Sequence, residues 1–117
     1  VWSQKRRTLK TSYFAKYKFE DGVSIARKSP VWFKGIKYPE LYPSWDMIVK
    51  YKRNGDEKVY TRAYYKQVLD KLNPDKVWAD LKDNTLLCWE KSGEFCHRRL
   101  VAAWLNEKLG EKIEEVK

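Results

Sequence analysis

Four kinds of side chain able to do chemistry fall together in one short stretch. Residues 86–105 read LLCWEKSGEFCHRRLVAAWL, and they hold both cysteines, the single histidine, and Arg98 beside Arg99. A cysteine thiolate is a nucleophile, an imidazole or carboxylate carries protons, and an arginine grips phosphate or carboxylate through paired N–H groups. Cys96 is therefore a candidate nucleophile, with His97 or Glu90 as proton carrier. Cys88 and Arg98 are candidate ligand-binding residues, joined by Arg27 from an earlier segment. Neighbours on a helix point about 100° apart, which sets His97 poorly toward Cys96 and makes Glu90 the better partner. A disulfide between Cys88 and Cys96 gives a further option, a thiol switch, if their Cα atoms lie within about 7 Å. Each residue also has a plain structural role to weigh: cysteine is often a small buried hydrophobe, and His97 can pack on the helix face of Val101.

Several familiar sites are absent. No GxxxxGK[ST] or GxGxxG occurs, so neither common phosphate cradle is present. A phosphatase-type loop needs Cys, five residues, then Arg, but the sixth position is Glu94 after Cys88 and Ala102 after Cys96. No CxxC occurs, and three candidate ligands fall short of the usual four of structural zinc, so neither a metal nor any other cofactor is expected.

These residues must be placed by flanking elements. Leu86–Trp89 is apolar without alternation, as in a strand covered on both faces. Leu100, Val101, Trp104 and Leu105 form the stripe of a helix that Gly110 closes. The seam between strand 85–90 and helix 95–109 would then lie at a strand's carboxyl end, where open α/β sheets bind ligands. A helix start also favours anions and lowers a thiol pKa, so Cys96 is expected to be partly exposed and thiolate-prone.

Earlier in the chain, Leu9–Phe14 and Val23–Ala26 read as short strands, the second ending at Arg27. Residues 28–43 carry Pro30, Pro39, Pro43 and Gly35 among Trp32, Phe33, Tyr38 and Tyr42. That composition denies a regular helix and suits a packed loop. Ser44 caps one helix that Asn54-Gly55 ends, a second runs near 57–72, and Asn73-Pro74 starts a third through Leu81. Residues 112–116 read as a last edge strand. The order predicts one compact α/β domain over 1–117, with a flexible basic start over 1–8. Its mostly parallel sheet of about four strands is flanked by helices in a Rossmann-like, three-layer arrangement.

Charge and aromatics are unevenly spread. The chain carries 25 basic and 16 acidic residues, a net +9. Residues 1–66 hold 16 of the basic and 6 of the acidic ones, with fourteen of the eighteen aromatic rings. Cations interleaved with rings suit a polyanion with flat bases. That favours, as an alternative, a nucleic-acid module using Lys5, Arg6, Arg7, Lys10, Lys16, Lys18, Lys34 and Lys37. No apolar run approaches the roughly 20 residues of a membrane span, and no export signal is visible, so a cytoplasmic protein with free thiols and no membrane partner is expected.

The pattern Leu86-Leu87-Cys88-Trp89-Glu90, then Cys96-His97-Arg98 and an apolar helix, resembles the DUF488 family of small bacterial, archaeal and phage proteins. Members look like "LLCxE…CHR", preceded by a strand ending in Arg, which Ser24-Ile25-Ala26-Arg27 matches here. The resemblance covers residues 9–116 and implies a compact α/β fold with an unassigned activity. It supports the site and names no reaction. The reading is thus a nucleotide-like or other anionic small molecule bound or processed at the Cys/His/Arg seam, with catalysis itself left open.

Overall fold

A computed structural model describes residues 9–91 and 93–116. Five parallel strands make one sheet: β1 (Lys10–Tyr13), β2 (Gly22–Ser24), β3 (Ile36–Lys37), β4 (Thr85–Cys88) and β5 (Glu114–Glu115), in the order β3-β2-β4-β1-β5. Four helices accompany them: α1 (Trp45–Asn54), α2 (Glu57–Gln67), α3 (Pro74–Leu81) and α4 (His97–Leu109). The α/β class and the parallel sheet are as expected, with one strand more than the sequence suggested.

β4 is central. It pairs with β1 from Thr85 opposite Lys10 to Cys88 opposite Tyr13, and with β2 from Thr85 opposite Gly22 to Leu87 opposite Ser24. All four of its residues are buried, which is why its sequence shows no alternation. Side chains still alternate in space. Leu86 packs with Val23, Ile25, Tyr64, Val101 and Trp104 in the main core, on the face the helices cover. Leu87 points the other way and joins Phe14, Ala26 and the two cysteines, with Tyr17 and Phe33 against them. That second layer is built from the segments after β1 and β2, not from helices. Gly22 permits the close packing there, since a Cβ at that position would sit 2.7 Å from Leu87 Cδ1.

The caps follow sequence chemistry. Ser44 accepts from the Met47 amide, Asp56 from Lys58 and Val59, and Asn73 from Asp75. Gly55 and Gly110 close α1 and α4 in the left-handed conformation, at φ 64° and 71°. Two elements differ from expectation. The helix read over 57–72 stops at Gln67 and continues as a 3-10 turn over Leu69–Lys71, which keeps Leu69 in the core. The proline-rich segment contains β3, because Ile36 and Lys37 extend beside Val23 and Ser24 before Pro39 opens a 3-10 turn. Among the described residues no helix is long and apolar enough to cross a membrane.

Candidate functional site

The chain leaves β2 toward β3 on one side and leaves β4 toward β5 on the other, so the connections from these neighbouring strands part at their carboxyl ends. Sheets of this kind open a crevice where the connections part. A cleft of about 920 Å³ lies there. Ala26, Arg27 and Lys28 line it from the end of β2, and Cys88, Trp89 and Glu90 from the end of β4. Cys96 and His97 come from the start of α4, and Trp45, Tyr51 and Lys52 from α1.

Arg27 is exposed on this wall and held in place. Its Nε donates to the Pro43 carbonyl at 2.8 Å, and its guanidinium lies over the rings of Tyr42 and Trp45, 5.9 Å from each. The proline-rich segment therefore orients the arginine, through backbone and rings alike. Trp89 remains 52% exposed, yet its indole Nε1 donates to the Lys28 carbonyl at 2.7 Å. That bond ties the ends of β2 and β4 together across the cleft. Glu90 sits at the rim, where partial desolvation raises its carboxyl pKa, partly opposed by Arg98 and Lys52.

Cys88 and Cys96 are joined by a disulfide, with Cα atoms 7.4 Å apart, beyond the limit of about 7 Å expected for such a bridge. The expectation of free thiols is thereby corrected, and so is the expectation of an exposed Cys96, which is only 3% accessible. The cause is local. Cys96 is the N-cap of α4 with extended backbone, φ −156° and ψ 150°, so its side chain turns inward to the end of β4. The same geometry corrects the expected separation of Cys96 from His97. Only His97 is helical, so the two do not follow helical spacing, and Nδ1 lies 3.7 Å from the Cys96 sulfur.

His97 is buried beneath the cleft. Its Nε2 lies 2.7 Å from the Ile25 carbonyl oxygen, which can only accept, so Nε2 carries the hydrogen. Burial pushes the imidazole pKa down to about 4, helped by the nearby Arg98 charge and opposed by the bond to Ile25. The ring is neutral, with the Nδ1 lone pair on the side of the Cys96 sulfur.

Arg98 does not line the cleft. It is fully buried, donating from Nε and Nη2 to the Glu115 carboxylate at 3.1 and 2.6 Å and from Nη1 to the Cys88 sulfur at 3.0 Å. Thr11 donates its hydroxyl to Glu115 as well. This residue thus joins α4, β4 and the edge strand β5. Arg27, Cys88, Glu90, Cys96 and His97 share one cleft, whereas Arg98 stands behind it.

The alternative basic set is spread more widely. Lys5, Arg6 and Arg7 lie outside the described residues, and Lys10, Lys16, Lys18, Lys34 and Lys37 are exposed. Lys18 sits 5.0 Å over the Trp32 ring, and Phe14 touches Trp32, Phe33 and Trp89. Sequence reading missed Trp45, Tyr51, Lys28 and Lys52 as lining residues. For Trp45 a signal existed: a large ring at the first position of α1, next to its cap, lies at the mouth of a helix and not along its buried stripe.

No curated protein and no solved structure matches the chain. A family model described as "Active DUF488-N3 subclade" matches residues 12–109, from β1 through α4 and across every residue of the cleft named above; the chain belongs to the DUF488 family.

Proposed function

We propose that the cleft binds, and can process, a small anionic ligand carrying a flat ring, a nucleotide-like molecule. One observation carries this reading. Where the connections from β2 and β4 part, the oriented cation Arg27 and the half-exposed ring of Trp89 face one cleft, tied to each other through the Trp89–Lys28 bond. Arg27 retains its terminal N–H groups for phosphate or carboxylate, Lys28 and Lys52 add charge, and Trp45, Trp89 and Tyr51 offer faces for stacking. The first turn of α4 carries no acidic residue, leaving its dipole field uncompensated beside the cysteines. The volume suits a ligand of nucleotide size. The word "active" in the subclade's description agrees with chemistry at this cleft, which Glu90 and His97 line and where Cys96 becomes a nucleophile only once its disulfide to Cys88 is reduced.

The test is a thermal-shift and calorimetric panel of mononucleotides, nucleosides, sugar phosphates and inorganic phosphate. A nucleotide should bind where its nucleoside and phosphate alone bind weakly, and Arg27→Ala should weaken it about tenfold or more, the loss of one charge-assisted bond. Absence of binding by every member of the panel would remove this reading.

A second reading has its own support. The Cys88–Cys96 disulfide makes the site a candidate thiol/disulfide switch, its two states differing at the floor of the cleft. Nucleic acid remains the alternative polymeric ligand, supported by Lys18 over Trp32 and the ring cluster that reaches Trp89.

A further inference from the structure

We propose that reduction of the Cys88–Cys96 disulfide turns the floor of the cleft into a Cys2His site for a zinc-like divalent ion, with one coordination position open to the cleft. The two sulfurs and a ring nitrogen of His97 all lie within 4.8 Å of one another, and all three residues are buried. Tetrahedral zinc is held by such a set, and three protein ligands with an open fourth position mark the catalytic kind of site. Soft thiolates select zinc over magnesium or calcium.

Proximity alone would be weak, but the surroundings are also built for ligation. Metal-binding histidines donate their second ring N–H to a carbonyl or carboxylate, which fixes the tautomer and aims the lone pair. His97 does this: Nε2–H donates to the Ile25 carbonyl, and Nδ1 faces the Cys96 sulfur at 3.7 Å. On the other side, Arg98 donates to the Cys88 sulfur at 3.0 Å, a bond that becomes an ion pair when that sulfur is a thiolate. Glu115 holds Arg98 in position. All three ligands also line the cleft, so the open position faces the space where a small molecule would enter.

The chemistry balances in two steps. A dithiol reductant gives two electrons and two protons to the disulfide, leaving two thiols here and a disulfide on the reductant. The metal ion then displaces both thiol protons to solvent and keeps its oxidation state. In the oxidised protein each sulfur is bonded to the other, and the site is closed. This assignment stands apart from the nucleotide reading, because metal binding is measured without that ligand.

Cobalt(II) is the probe, titrated anaerobically into the full chain. One sample is oxidised. The other is reduced by a dithiol, in denaturant followed by refolding where native reduction is incomplete, then freed of reductant and shown by thiol titration to hold two thiols. The reduced protein should take up one equivalent of cobalt, with a thiolate-to-metal charge-transfer band in the near ultraviolet and the intense visible bands of tetrahedral cobalt. One equivalent of zinc should abolish both. The oxidised protein, a folded control of identical sequence, should show neither band. His97→Ala, checked for folding by circular dichroism, should keep the charge-transfer band and lose at least tenfold in affinity. A reduced, refolded protein without these bands overturns the proposal. So does cobalt bound without the charge-transfer band, or bound equally by the oxidised protein.

Discussion

His97 shows how far burial alone can set the state of a side chain. Its pKa in the folded protein is about 4, below the usual 6.5, because the interior disfavours the imidazolium. Above pH 6.5 the ring is neutral folded or unfolded, and it adds nothing to the pH dependence. Between pH 6.5 and 4 the unfolded chain takes up the proton and the folded one does not, so stability falls as the pH drops through that window. The loss reaches about 3 kcal/mol once the pH is below both values. Denaturant unfolding from pH 7 to 4 should show this slope, and His97→Gln should flatten it relative to wild type. Arg98 makes the opposite case, a buried charge kept by its partners. Arg98→Met removes the cation, with the two bonds it donates to Glu115 and the one to the Cys88 sulfur, while Thr11 still donates to that carboxylate. Glu115 keeps 21% exposure, so the cost belongs at the lower end for a broken buried pair, about 3 kcal/mol in urea unfolding. The sequence showed that Arg98 belongs to the cluster. It did not show its direction, because the partner lies on a two-residue edge strand with no hydrophobic pattern.

At the level of elements, what could be read was what local chemistry decides. Ser44, Asn73, Gly55 and Gly110 bound their helices because each satisfies orphan backbone groups through its own side chain or its own φ. The apolar run from Leu86 announced a central strand because both faces of Thr85–Cys88 are covered, while Trp89 lies past its end and half exposed. β3 was not legible: its two residues are both exposed, and only pairing with β2 makes them a strand. The seam was legible as a place but not as a geometry. Treating Cys96 as a helical residue put His97 out of reach, and the extended N-cap brings it close. The disulfide makes the seam a mechanical link between the end of β4 and the start of α4. It closes a loop of sequence separation 8, for which the chain-entropy estimate is about 2–3 kcal/mol. Urea unfolding with and without a dithiol reductant should show that difference, and Cys88→Ser/Cys96→Ser should remove the dependence on reductant.

At the level of the whole molecule, the question is whether the +9 charge serves a polymer or a small ligand. Both readings use cations beside rings, and they differ in how many phosphates are met at once. A ligand seated in the cleft meets Arg27, with Lys28 and Lys52 nearby, and releases few counterions. A single strand running past Trp89 to Trp32 would meet Lys18 as well and release more. The slope of log affinity against log salt counts these contacts, at about 0.7 per phosphate for single strands. Titrations of a mononucleotide and of a short oligonucleotide between about 50 and 200 mM salt should therefore separate the two ligands. If the cleft is the site, the mononucleotide binds with a shallow slope, and the oligonucleotide gains little beyond its terminal nucleotide. Arg27→Ala then weakens both ligands by the same factor. If the outer surface is the site, the oligonucleotide binds with a steep slope and the mononucleotide hardly at all. Lys18→Ala then lowers that slope by about one contact while Arg27→Ala leaves most of the affinity in place. Trp89 belongs to both surfaces, through its bond to Lys28 on one side and its ring contact with Phe14 on the other. Its substitution weakens binding in either case, so the two lysine and arginine variants carry the decision.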